Sequence, residues 1–202
     1  MRCRNDPAPR GVDLGRILLE EGDEAAALRA LSIGLEHEDS EVFAKCQLLI
    51  GVVLRDRDDP GPAKNAFREA MNSPDLTVAA HAFDELARVL VMADDADGAE
   101  EAAVEAKNRT LEASPLSWVA IGSLLSRQGK FALAEDLLVL ATNLGDDAVA
   151  AMAFQCLGYI YTPRLAEAEA AFRCALAAGD ETMRDIATQA LGHLAEQIER
   201  DT

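Results

Sequence analysis

Three histidines, four cysteines and two aspartate-rich runs are the residues in this sequence best suited to chemistry, and none falls into a working arrangement. His37, His81 and His193 stand far apart, with no Ser or Cys at a spacing that would pair a nucleophile with a base. Cys3, Cys46, Cys156 and Cys174 form no C-x-x-C pair. They read as reduced thiols rather than a disulfide framework or zinc site, which points to the cytoplasm. Three of them, Cys46, Cys156 and Cys174, fall on apolar helical stripes, where a free Cys acts as a small hydrophobe. The runs Asp56–Gly61 and Asp94–Gly98 resemble the start of calcium loops. The bidentate Glu that closes such a loop is absent, its place being held by Phe67 in one and Val104 in the other. There is no H-E-x-x-H and no Gly-rich phosphate loop. The expectation is a chain with no catalytic residues, no metal ligands and no cofactor, and so not an enzyme.

Composition says what must hold the chain together instead. Of 202 residues, 38 are Ala and 26 Leu, while only nine are aromatic. Ala and Leu lead the helix scale and strand formers are scarce, so the predicted fold class is all-α. Nineteen basic and 36 acidic residues give a net charge of −17, which repels nucleic-acid phosphates and anionic membrane surfaces. No apolar run is long enough to span a bilayer. The start, Met1 to Pro7, has two arginines but no apolar stretch behind them, so residues 1–10 are expected to be a flexible lead-in rather than a signal.

Self-similarity supplies the architecture. Leu14-Gly15, Ile50-Gly51, Leu86-Ala87, Ile121-Gly122, Leu157-Gly158 and Leu191-Gly192 recur at intervals of 36, 36, 35, 36 and 34. Behind them comes a second face with spacing four then three: Ala27, Leu31, Gly34; Ala63, Phe67, Ala70; Ala99, Ala103, Ala106; Ala134, Leu138, Ala141; Ala168, Phe172, Ala175. Phe83, Trp118 and Phe154 stand one turn before the small residue and are expected to be buried. Each unit reads as two antiparallel helices, with turns at Gly22, Asp59-Pro60-Gly61, Gly98 and Gly129-Lys130, and with Ser114-Pro115 opening a helix. The units span 11–39, 40–75, 76–112, 113–146 and 147–180. A polar-backed helix at 181–200 closes a single domain of 11–202, and no comparable cap precedes Gly11.

This pattern resembles the tetratricopeptide repeat. Trp118, Ile121-Gly122, Leu125, Gly129, Phe131, Ala134, Leu138 and Ala141 carry the likeness in the fourth unit. Phe154, Leu157-Gly158, Tyr161, Ala168, Phe172 and Ala175 carry it in the fifth. The departures are Asp39, Asp146 and Asp180 in place of the terminal proline, and a turn two residues shorter at Tyr161–Arg164. The resemblance implies a right-handed superhelical solenoid of antiparallel helix pairs, with a concave groove lined by the first helix of each unit.

The stripe that the resemblance assigns to the groove contains Arg16, Lys45, Leu48, Val52, Arg55, Asp84, Arg88, Val91, Met92, Val119, Ser123, Arg127, Met152, Gln155 and Tyr159 as candidate partner-binding residues. With its neighbours Glu20 and Asp56, the stripe holds five basic and three acidic side chains in a strongly acidic chain. Spaced guanidiniums among apolar residues suit a peptide or protein with acidic residues. The competing expectation is that these charges pair locally, as Asp84 with Arg88. The function expected is therefore a non-catalytic, cytoplasmic scaffold or adaptor of bacterial composition, binding a protein or peptide. The alternatives are a regulatory or sensor module of a larger bacterial protein, and a homodimer formed through the N-terminal end. The chaperone-tail clamp of some tetratricopeptide proteins is not matched by Val12/Arg16, Leu48/Val52 or Asp84/Arg88.

Overall fold

Six aspartates start helices. Asp23, Asp39, Asp75, Asp95, Asp146 and Asp180 each accept a hydrogen bond from the backbone N–H of Ala26, Glu41, Thr77, Gly98, Val149 or Met183, at 2.9–3.0 Å. Each carboxylate meets an otherwise unpaired amide at the positive end of a helix dipole. The Thr77 amide holds the Asp75 carboxyl below the usual carboxylate range. Part of the acidity of the chain is thus the chemistry of its helix starts, and the aspartates that replace the repeat's terminal proline are caps.

The computed structural model describes residues 7–201, and among these it contains eleven helices and no strand. They are α1 (Pro7–Glu20), α2 (Glu24–Leu35), α3 (Ser40–Asp56), α4 (Pro60–Met71), α5 (Leu76–Met92), α6 (Ala96–Asn108), α7 (Pro115–Arg127), α8 (Phe131–Leu144), α9 (Asp147–Ile160), α10 (Leu165–Ala178) and α11 (Glu181–Asp201). Helix α1 begins at Pro7, inside the stretch expected to be a lead-in, because proline is tolerated in a first turn that needs no amide donor. The remainder of that stretch, with Cys3, lies outside the described residues.

The chain divides into two compact units. One holds residues up to Ala93 with Val104–Ala113, and the other holds Asp94–Ala103 with everything from Ser114. The division falls within α6. In the first unit α1 packs on α2 and α3 on α4, and the first helices α1, α3 and α5 lie side by side. In the second α7 packs on α8 and α9 on α10, with α7, α9 and α11 side by side. Both are layers of antiparallel hairpins.

The Leu-Gly pairs explain the close approach within hairpins. A Cβ on Gly15, Gly51, Gly122 or Gly158 would stand 2.5–2.9 Å from Leu31, Phe67, Leu138 or Phe172 of the second helix. Only a residue without a side chain lets those large groups seat against the helix backbone. Phe83 and Trp118 are fully buried as expected, whereas Phe154 is half-buried. Gly22 and Gly129 carry positive φ in their turns. In the next two units the left-handed position is taken by Asp58 and Asp94 rather than by the glycines read as turn markers. Gly61 and Gly98 instead lie in the first turns of α4 and α6.

In the first unit, Leu31, Val42 and Cys46 pack with Val12, Leu35, Leu49 and Ile50. Arg109, just past α6, donates to the carbonyls of Met71 and Ser73, the orphan acceptors at the end of α4. In the second, Ala190 and Leu194 of α11 pack on Ala168 and Phe172, beside Tyr161, Leu165 and Leu191. Ile198 lies outside the described side chains. No described helix is long and apolar enough to cross a membrane.

Candidate partner-binding surface

The stripe assigned to the groove in the sequence analysis holds positions six before the small residue, three before it and one after. At the middle position Val12, Leu48, Asp84 and Gln155 are half-buried, and Val119 is buried at 4 % exposure. Val119 is therefore corrected from a groove contact to a core residue, because at that burial it has no surface left to offer a partner. The outer positions are more open: Arg16, Arg88, Met152 and Tyr159 are exposed, while Lys45, Val52 and Ser123 are half-buried. Further along α5, Val91 is half-buried and Met92 is 72 % exposed.

The basic residues of this surface are all engaged. Arg16 pairs with Glu20 at 2.5 Å, and Lys45 with Glu41 at 2.6 Å. The Glu41 bond raises the Lys45 ammonium against the opposing effect of burial. Arg55 binds Asp56 at 2.7 Å and also Glu85. Burial pulls the Arg55 guanidinium down, but the two carboxylates outweigh it and leave it raised. Arg88 lies 3.7 Å from Glu85, and Arg127 lies 3.0 Å from Asp94. Five basic residues thus meet five carboxylates, of which Glu41, Glu85 and Asp94 lie off the stripe that the sequence analysis singled out. Local pairing prevails, with Arg88 beside Glu85.

In the first unit, Arg55 and Met92 are brought together with Asp58, Pro60, Val89 and Ala93 around a cleft of about 110 Å³. In the second, Ser123 of α7 lies beside the Cys156 thiol of α9. Burial pushes that thiol up, and Ser123 offsets part of the shift. Tyr159 stands edge-on to Phe172, with ring centroids 5.2 Å apart at 77°. At the shortened turn, the Tyr161 hydroxyl donates to Glu135 at 2.7 Å, while the Arg164 guanidinium lies 4.5 Å over the Tyr161 ring.

The register relative to Gly122 and Gly158 that selects Met152 and Tyr159 in the sequence also selects Leu116 of α7 and, relative to Gly192, Ile186, Gln189 and His193 of α11. His81 and His193 are exposed, and among the described residues no group of His, Cys, Asp and Glu converges on a metal-sized site.

No protein-family model matches this chain, and no curated protein sequence matches it. Solved structures do. MamA is similar at TM-score 0.57 and 18 % identity, over 93 % of this chain and 95 % of that one. PilF of Pseudomonas aeruginosa is similar at TM-score 0.58 and 16 % identity, over 96 % of this chain and 91 % of that one. Both are tetratricopeptide-repeat proteins, and this chain has their all-α helical-repeat fold.

Proposed function

We propose that this helical-repeat fold serves as a non-catalytic scaffold that binds a peptide or protein on the open face of its first helices. One observation carries the reading. In the first unit Met92 at 72 %, and in the second Tyr159 at 55 %, Leu116 at 51 % and Met152 at 37 %, stand open to solvent on first helices, while Leu86, Ile121 and Leu157 on the same helices are closed into hairpins. Large apolar and aromatic side chains held open on a rigid frame are the anchors that interfaces use. Cys46, Cys156 and Cys174 are free thiols, which supports a reducing compartment, the cytoplasm.

The test is selection of a random 12-residue peptide display library on the full chain. Enriched peptides should lose binding at least ten-fold on Met152→Glu or Met92→Glu. They should be unaffected by Val139→Glu on the back of α8, which is exposed but lies on a second helix. Equal loss at Val139, or none at either methionine, overturns the reading.

A second reading is a homodimer through α1 and α2, favoured by the exposure of Leu14, Ile17 and Ile33 at this end of the first unit. Sedimentation equilibrium tests it: a concentration-dependent dimer abolished by Leu14→Glu supports it, and a strict monomer rejects it.

A further inference from the structure

The open face of the second unit carries no Asp, Glu, Lys or Arg at the eight register positions that are not buried. They are Leu116 and Ser123 on α7, Met152, Gln155 and Tyr159 on α9, and Ile186, Gln189 and His193 on α11. The unit around them is strongly acidic: its 17 Asp and Glu outweigh six Lys and Arg, a net of −11. The cation at the edge of this face, Arg127, is already held by Asp94. On α11 the stripe is bracketed by carboxylates. Asp185 stands one turn before Gln189, and Glu196 stands three residues after His193, where its exposed pairing with Arg200 at 3.3 Å offsets little of its field. Tyr159 supplies an aromatic anchor whose ring is fixed edge-on by Phe172, so little motion is lost when a partner covers it.

We propose that this face takes an apolar peptide segment flanked by basic residues. The inference rests on the scaffold reading above and reverses the acidic partner that the sequence implies. Neighbouring first helices lie about 10 Å apart, so a ligand crossing α7, α9 and α11 covers about 20 Å, or about six extended residues. Its core meets uncharged side chains and needs no charge of its own. Its ends emerge into a field of carboxylates that attracts lysine and arginine and repels glutamate and aspartate.

The experiment resynthesises each peptide core enriched on the full chain with two lysines or with two glutamates on either side. Binding is measured by fluorescence anisotropy. The lysine form should bind at least ten-fold tighter in 0.05 M NaCl, with the gap closing below three-fold in 0.5 M. Asp185→Lys combined with Glu196→Lys should remove most of the lysine advantage. If the glutamate form binds equally or better while Met152→Glu still abolishes binding, the basic-flank assignment falls and the scaffold reading stands. If binding survives both Met152→Glu and Tyr159→Ala, in variants whose thermal unfolding matches the parent, both fall. Enrichment of no peptide at all also overturns both.

Discussion

Gly158 lies under the ring of Phe172 so closely that a methyl group on it would stand 2.5 Å from Cε1. Gly192 occupies the same place in the repeat, one unit later, yet an added Cβ there meets nothing within 4 Å. The same substitution should therefore have opposite signs. Gly158→Ala forces a buried ring to move and should cost about 1–3 kcal/mol, part of it recovered by Phe172→Leu. Gly192→Ala relieves a mid-helix glycine of α11 and should gain about 0.5–1 kcal/mol. Urea denaturation of the three variants checks this, and a loss at Gly192 equal to that at Gly158 would mean that its outer face is covered.

Arg109 bridges two carbonyls at the end of α4 with one guanidinium. Arg109→Ala should destabilise the chain by about 1.5–3 kcal/mol, because charge-assisted bonds to two partly buried acceptors are lost. Arg109→Lys should recover less than half, since an ammonium lacks the fork that reaches both oxygens. Thermal unfolding followed by circular dichroism reads both, and full rescue by lysine would show that charge alone matters.

Tyr161 gives a pH signature. Burial and the Glu135 carboxylate push its hydroxyl up to about 12, so the folded chain holds the neutral phenol more tightly than the unfolded chain does. The stability this supplies is fully present below the unfolded value of about 10 and is lost as pH rises towards 12. Absorbance titration should show a late tyrosinate step that Tyr161→Phe removes. In that variant the loss of stability between pH 10 and 12 should be shallower, and a parent with no late step would contradict the Glu135 contact.

The three described thiols should react in a fixed order. Burial pushes Cys46 up to about 11, while Cys174 is exposed. With a maleimide at pH 8, Cys174 should label in the native state and Cys46 only after unfolding, in a Cys3→Ser background read by mass spectrometry. Native labelling of Cys46 would mean that its cluster with Leu31 and Val42 opens readily.

The hairpins were legible in the sequence because small residues recur at a nearly fixed interval, and that phase sets which faces must meet. Its limit shows at Cys174, which falls on an apolar stripe yet is exposed. Side-chain depth across a broad helix face is not fixed by period, and for the same reason Val119 and Met152 read alike although one is buried and the other open. The partners of the charges on the open face were not legible for a different reason. Arg55 finds Glu85 at a separation of 30 residues, and Arg127 finds Asp94 at 33, on neighbouring repeats that a count along one stripe omits. The left-handed turns at Asp58, Asp94 and Thr110 were hidden because Asp tolerates that conformation less visibly than Gly, and Thr rarely adopts it.

The methionines report directly on whether the open face of the second unit receives a partner. Met152 stands on that face, Met71 is fully buried in the first unit, and Met183 is half-buried at the start of α11. In a chain labelled at the methionine methyls, titration with a lysine-flanked enriched peptide should shift or broaden the Met152 resonance in step with binding. Met71 and Met183 should stay in place. Saturated binding with Met152 unmoved would contradict the account.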